Sequence, residues 1–412
     1  MRPMTDVAVV GAGPYGLSLA AHLSAMGLSI RIFGVPMNTW RTSMPEGMVL
    51  KSEGFASTLY DPERSFTLET YCAQYGLPYA YIGLPVPLGT FSAYGMAFQK
   101  RFVPMLDERL VTMVRRNADG FELQIDNDEI VTARRVVIAA GITRFAYTPP
   151  ELETLRGPLL THSGDHHLLG GFAGKEVLVV GGGASGIEIA QLMHRKGARP
   201  TVAARRSRIA YCEAPRPRTL LDKIRDPLSG LGTGWRSLAS ERAPLVFYHM
   251  PKDFRVMVVR KHLGPAPGWT SREEVERHVP VVLGSQVASA REVNGRAEVV
   301  LTMKDGPAKT IRADHVVSAT GYRVDLRRLN FLAPELLARM TQVEHTPVLS
   351  RQFESSIPDL YFVGSTAANS FGPLLRFACG AEFASGRLSR HLLRTAAKNA
   401  TVRERPLVPA AT

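Results

Sequence analysis

Two short glycine-rich runs carry the clearest chemistry in the sequence. Gly11-Ala-Gly-Pro-Tyr-Gly16 and Gly181-Gly-Gly-Ala-Ser-Gly186 share glycine at their first, third and sixth positions. In such a run Gly11 or Gly181 permits a tight turn, and Gly13 or Gly183 lets the backbone approach a pyrophosphate. Gly16 or Gly186 then allows a helix to pack closely on a strand. Each run follows an apolar strand pattern, Asp6-Val-Ala-Val-Val10 or Val177-Leu-Val-Val180, and opens a helix whose N-terminus offers partial positive charge to phosphate. Pro14 and Ser185 lie within the same runs and count among the cofactor-binding candidates. Two runs imply two bound dinucleotides, with hydride passing between them.

The residues after the next strand of each unit distinguish the two sites. A strand such as Ser29-Ile-Arg-Ile-Phe33 is expected to end on an acid that grips the ribose hydroxyls, but Gly34 and Val35 stand there. Glu53 is the acidic candidate from elsewhere. In the second unit Thr201-Val-Ala-Ala204 runs into Arg205 and Arg206. Guanidinium groups at this place suit a 2′-phosphate, so NADPH is expected rather than NADH. The alternative is two solvated arginines in a loop.

The elements that must hold these loops alternate strand and helix over most of the 412 residues, enough chain for two or three domains. The expected fold class is α/β, with two Rossmann-like dinucleotide-binding domains, one inserted into the other. Residues 1–165 and 322–412 would form the outer domain, and 166–210 with 281–321 the inner one. Residues 211–280, rich in Pro, Arg and Trp, would form a small, mostly helical segment on the substrate side. An amphipathic helix is expected around 91–106, an antiparallel patch over 109–133 and a final helix near 378–395. A polar, Pro-containing tail follows from about Lys398.

Composition removes several classes of function. Cys72, Cys212 and Cys379 lie far apart and form neither a C-x-x-C pair nor a zinc spacing. The net charge of +13 is spread along the chain, with local basic clusters but no nucleic-acid motif, so no nucleic-acid partner is expected. No apolar run is long enough to span a bilayer, and the sequence enters a strand within its first residues. No membrane partner and a cytoplasmic location are therefore expected; a homo-oligomer stays open.

Read in order, the sequence resembles the class B flavoprotein monooxygenases, which include flavin-containing monooxygenases, Baeyer–Villiger enzymes and amine N-hydroxylases. Met37-Asn-Thr-Trp-Arg41 and Met48-Val-Leu-Lys-Ser52 look like the family segment lining the flavin ring. Asp61-Pro-Glu-Arg-Ser-Phe-Thr67 and Thr90-Phe-Ser-Ala-Tyr94 resemble a turn and a helix start of the N-hydroxylases. Asp314-His-Val-Val-Ser-Ala-Thr-Gly-Tyr322 matches the family's D-x-x-x-[LF]-A-T-G-Y pattern, with Ser318 replacing Leu or Phe; this linker gives Tyr322 no catalytic role. Of the signature F-x-G-x-x-x-H only His162 is kept, with Arg156 and Pro158 in the other places. His162-Ser-Gly-Asp-His-His167 is dense in metal-ligating types but reads as a hinge, and no metal is expected.

The resemblance implies that FAD occupies the outer domain and NADPH the inner one. It implies a monooxygenase that passes one oxygen atom from a flavin C4a-hydroperoxide to a small substrate, N-hydroxylation of an amine being favoured. It assigns Trp40, Arg41, Ser52, Gly364, Phe371 and Gly372 to the flavin. Lys51, Asn369 and Ser370 become the catalytic-side candidates, helix capping being the alternative for Asn369 and Ser370. The helix expected from near Leu374 would point its N-terminus at the flavin. The alternatives are an NAD(P)H oxidoreductase without oxygen insertion, a Baeyer–Villiger or S-oxygenating enzyme, and a redox sensor.

Overall fold

The apolar strand Thr5–Val10 (β1) leads through the first glycine run into helix α1 (Pro14–Ala25) and strand β2 (Ile30–Phe33). The structure, a computed structural model, describes residues 4–403 except 156, 263 and 265, so Arg156 and the tail from residue 404 lie outside the described residues. β1 and β2 run parallel, pairing Val10 with Phe33. Helices α2 (Leu68–Tyr75) and α3 (Leu88–Phe102) follow, the latter starting a few residues earlier than the sequence pattern predicts. Pro87 sets that start, because its fixed φ suits a helix entrance.

β3 (Val111–Arg116), β4 (Phe121–Ile125) and β5 (Ile130–Ile138) then form the expected antiparallel patch. β5 turns back parallel to β1, with Ile138 opposite Val10. Val7, Ala8 and Val9 of β1 and Val136, Val137 and Ile138 of β5 are fully buried on both faces, as the parallel centre of a sheet requires.

The second unit repeats the pattern. β6 (Leu160–His162), β7 (Glu176–Val180), α4 (Ala184–Arg195) and β8 (Arg199–Ala204) precede a run of short helices. These are α5 (Leu220–Arg225), α6 (Trp235–Arg242), α7 (Pro244–Tyr248), α8 (Lys252–Lys261) and α9 (Arg272–His278), with a two-residue hairpin of β9 (Leu228–Ser229) and β10 (Gly232–Thr233) between the first two. β11 (Val281–Leu283) returns to the sheet. An antiparallel ribbon of β12 (Ser285–Val293), β13 (Arg296–Met303) and β14 (Lys309–Ala313) packs beside it, and β15 (His315–Ser318) completes it. The all-parallel order is β11-β8-β7-β15-β6.

The chain then goes back to the first sheet. Helix α10 (Pro334–Arg339) and the small hairpin of β16 (Gln342–Val343) and β17 (Thr346–Pro347) lead to β18 (Leu360–Phe362), which pairs parallel with residues 136–138 of β5. A short helix α11 (Ala368–Phe371) and the long α12 (Gly380–Arg403) close the chain, with α12 against α1. The fold is thus α/β with two Rossmann-like units, the second lying between strands of the first.

The sequence pattern places a helix start near Leu374. Instead, Gly372 at φ +93° and Pro373 break the path, and Pro373–Arg376 form one 3-10 turn. The long helix begins only at Gly380, where a Cβ would come within 2.3 Å of the Tyr15 hydroxyl and 2.4 Å of the Leu374 carbonyl oxygen. The close approach of three backbone segments, rather than helix propensity, sets that boundary.

Candidate active site

The two glycine runs adopt the same backbone geometry. Gly11 has φ +117° and Gly181 φ +141°, conformations that L side chains rarely adopt. Gly13 and Gly183 are the N-cap residues of α1 and α4, and no side chain caps either helix. Space is open within 4 Å of where a Gly13 Cβ would be. The first turns of both helices therefore present unclaimed backbone N–H groups and the positive end of a helix dipole, the arrangement that receives a dinucleotide pyrophosphate.

At the expected ribose position Gly34, at φ +125°, lies near the backbone of Gly11 and Ala12. The Glu53 carboxylate accepts from the Gly83 N–H at 2.7 Å, so this acid is engaged in its own loop. In the second unit Arg205 and Arg206 are exposed immediately after β8. The Arg206 carbonyl accepts from Gly284 N–H, which fixes the backbone that carries the two guanidinium groups.

The flavin-side candidates fall into three neighbourhoods. Trp40 and Arg41 sit in a π-helical turn, Thr39–Ser43; the Trp40 ring meets Phe91 edge-on at 4.8 Å, and Arg41 Nη1 donates to the Pro36 carbonyl. Ser52 Oγ is bonded to Ser57 Oγ at 2.7 Å. Lys51 is exposed, and its Nζ donates to the Ala266 carbonyl at 2.6 Å, tying this segment to the helical run 211–280.

Asp61 organises the following turn. Its carboxylate accepts from the N–H groups of Glu63, Ser65 and Phe66 and from the Ser65 hydroxyl. Tyr94, fully buried on α3, donates to the Phe66 carbonyl at 2.8 Å and accepts from Leu59 N–H at 3.0 Å.

The third neighbourhood is the segment 364–377. Gly364, at φ +75°, leaves room for the Tyr15 ring, whose edge would be 3.5 Å from a Cβ there. The Tyr15 hydroxyl donates to the Phe377 carbonyl at 2.8 Å. Tyr15 occupies an unconstrained place in the first glycine run, so its role in joining that run to the distant segment carries no sequence signal.

Phe371 is fully buried against Phe353, with ring centroids 4.2 Å apart, and stacks on Tyr248 of α7. Asn369 Nδ2 donates to Thr346 Oγ1, and the Ser370 carbonyl accepts from Arg255 Nη1 of α8. Both residues lie inside α11, whose N-cap is Ala367, so neither caps a helix.

Between the two units, Met44, Met48, Ser185, Glu188, Ser163 and Tyr322 line one small cleft. Ser185 belongs to the second glycine run and Glu188 stands one turn further along α4. Glu188 is half-buried, and burial of its carboxyl raises its pKa from 4.5 to about 7; Lys51 and the Gly268 N–H pull the other way without prevailing. Sequence reasoning passed over Glu188 because its environment comes from three separated segments. Burial likewise pushes the Tyr322 hydroxyl up to about 12, so it stays protonated.

The histidine-rich stretch 162–167 is fully engaged in hydrogen bonds. His162 Nδ1 accepts from Gly164 N–H, which leaves Nε2 to donate to the Gly321 carbonyl. His166 bonds to Thr161, and His167 Nδ1 to the Met44 carbonyl. His162 closes β6 and caps the 3-10 turn Ser163–Asp165 that opens the connection to β7.

Residues 5–226 match the family described as pyridine nucleotide-disulphide oxidoreductase. An indole-3-pyruvate monooxygenase of Oryza sativa subsp. japonica is 28% identical over 210 residues, 48% of this chain and 47% of that protein. The chain thus spans about half the length of that relative. A ferredoxin–NADP reductase of Gluconacetobacter diazotrophicus is 24% identical over 94% of this chain and 91% of its own. Among solved structures, an ornithine N-hydroxylase of Kutzneria sp. 744 superposes with a TM-score of 0.76 over 96% of this chain and 100% of its own, at 19% identity, a likeness of fold. With more than half of its length matched, and both dinucleotide cradles built as that chemistry requires, the chain is an oxidoreductase of the pyridine nucleotide-disulphide oxidoreductase family.

Proposed function

We propose that the protein is an FAD- and NADPH-dependent single-component monooxygenase that hydroxylates the nitrogen of a small amine. The observation carrying this reading is the pair of uncapped helix N-termini at Gly13 and Gly183, in a fold shared with an ornithine N-hydroxylase, together with three free and dispersed cysteines. A dithiol relay would need two thiols in contact; the three cysteines are free, with Cys72 buried on α2, Cys379 buried just before α12 and Cys212 exposed.

The six-stranded sheet would hold FAD and the five-stranded sheet NADPH. The open space at Gly13 fits the FAD pyrophosphate, and the uncapped helix start at Gly183 with Ser185 the NADPH pyrophosphate. Arg205 and Arg206 take the 2′-phosphate. When bound, the flavin accepts hydride from the nicotinamide and activates dioxygen. NADPH supplies two electrons; one oxygen atom becomes the hydroxyl on the substrate nitrogen and the other leaves as water.

The chain's own contribution is to position these parts and keep water out. Trp40, Arg41 and Ser52 would border the flavin on one side, and Gly364, Phe371 and Gly372 on the other. Tyr15 fixes the second side to the first glycine run. The Lys51–Ala266 and Arg255–Ser370 bonds hold the helical run 211–280 against both sides as a wall. Lys51, Asn369 and Ser370 would be the residues of the substrate side.

Rapid mixing of NADPH-reduced protein with oxygenated buffer tests the reading. An absorbance transient distinct from reduced and oxidised flavin, followed by hydroxylamine formation from added amines, is the expected result. Direct return to oxidised flavin would favour electron transfer without oxygen insertion, the reading that the full-length similarity to a ferredoxin–NADP reductase supports.

A further inference from the structure

The helical run 211–280 carries a surface that the oxygenation reading does not use. Between residues 211 and 261 the sequence holds 10 Lys or Arg against 5 Asp or Glu, one of the local basic clusters of the chain. Large apolar side chains stand out on the same surface: Leu220 is 78% exposed, Leu221 64%, Ile224 65% and Trp235 61%. The three aliphatic residues share one face of α5 through spacings of three and four. Trp235 adjoins them, because its Nε1 donates to the Ile224 carbonyl at 3.0 Å.

Around this apolar tip lie exposed Arg216, Lys223, Arg225 and Arg236. Of the acids on this stretch, the Asp222 carboxylate accepts from Thr219 in a helix cap, and Glu213 and Asp226 are exposed. We propose that this tip docks the protein peripherally on an anionic lipid surface, with Leu220, Leu221, Ile224 and Trp235 entering the bilayer interface. No helix among the described residues is long and apolar enough to cross a membrane, and a peripheral contact needs none.

Three features select lipid over other occupants. The apolar side chains project singly instead of lining a groove, so a rigid protein partner would need a socket for each, whereas acyl chains conform to them. The Trp235 N–H is already bonded within the chain, so the ring can leave water without an unpaired donor. The basic collar matches lipid phosphates and repels a second copy of the same surface. Docking would also set the neighbouring substrate wall beside apolar amines dissolved in the membrane.

Sedimentation of the full-length protein with vesicles tests this independently of turnover. Binding is expected to vesicles of equal parts phosphatidylglycerol and phosphatidylcholine at low salt, and to fall steeply with salt. Phosphatidylcholine alone should retain little. Leu220→Ser with Leu221→Ser should lower partitioning by about tenfold or more, and Lys223→Gln or Arg225→Gln by about fivefold each. Anionic vesicles should shift the tryptophan emission of the parent protein to the blue, and much less so in Trp235→Phe. Absence of binding to anionic vesicles, or binding that the double Leu→Ser variant leaves intact, overturns the proposal. Binding to polyglutamate in place of vesicles would overturn it in favour of an acidic protein partner.

Discussion

Gly11 lies so close to Ala139 that a Cβ on the glycine would come within 2.2 Å of the Ala139 carbonyl oxygen, and Gly181 stands in the same relation to Ala319 at the same distance. The end of a neighbouring parallel strand thus forms the back wall of each phosphate loop. Gly11→Ala should cost about 1–3 kcal/mol from its φ alone, with the clash in addition, and should purify largely without flavin. Gly181→Ala should keep its flavin and lose rapid reduction by NADPH. Flavin absorbance after purification and stopped-flow reduction separate the two; a flavin-replete Gly11→Ala protein would count against the assignment of FAD to the first loop.

Arg205 and Arg206 are exposed where a 2′-phosphate would lie. Their joint replacement by Ala should raise KM for NADPH about 10- to 100-fold, the worth of charge-assisted hydrogen bonds, and leave NADH nearly unchanged. Steady-state kinetics with both nucleotides decides the matter. Equal effects on the two would remove the reason for choosing NADPH.

The pKa of Glu188 is raised by burial from 4.5 to about 7 in the folded state. A raised carboxyl pKa favours the folded state most below pH 4.5, where both states are protonated; this advantage disappears as pH rises to about 7. Glu188→Gln should therefore flatten the loss of stability with rising pH across that window. Because the Lys51 charge pulls the carboxyl pKa down, Lys51→Met should move it higher still. Denaturation midpoints measured across that pH range, or a direct NMR titration of the carboxyl carbon, give the answer.

Tyr94→Phe removes the hydroxyl that joins Leu59 N–H to the Phe66 carbonyl in a buried site. The orphaned pair should destabilise the protein by about 1–3 kcal/mol, read from the denaturation midpoint. Asp61→Ala, which strips three backbone N–H groups of their acceptor, should cost more and loosen the loop toward proteases.

The two glycine runs were legible because their steric demands are local: turn, open N-cap and strand contact all fall within a few residues of sequence. The antiparallel patch and the return of the chain to the first sheet were legible from alternation and apolar runs. The final helix was legible to within two residues of its start at Gly380, whereas the 3-10 turn Pro373–Arg376 in place of a helix start near Leu374 was not, because it depends on the φ of Gly372 and on Tyr15 and Leu374 meeting Gly380 in space. Glu188 was missed for the same kind of reason, its pKa being raised by burial among segments far apart in sequence. The π-helical turn at Thr39–Ser43 has no periodic signature in five residues. The resemblance supplied Lys51 as a substrate-side residue, and only the structure shows it fastening the substrate wall through Ala266.

The pairing of β18 with β5, and of α12 with α1, has a consequence for biosynthesis. A ribosome delivers residues 5–138 long before residues 360–362, so the first sheet must wait with residues 136–138 of β5 unpaired on the side away from β1 while the whole second unit is made. The second unit, whose strands all fall between residues 160 and 318, can close in the meantime. Completion of the first sheet is thereby postponed until residues 360–362 have been made, and a nascent chain cut short before them would carry a finished second unit beside an open, aggregation-prone sheet.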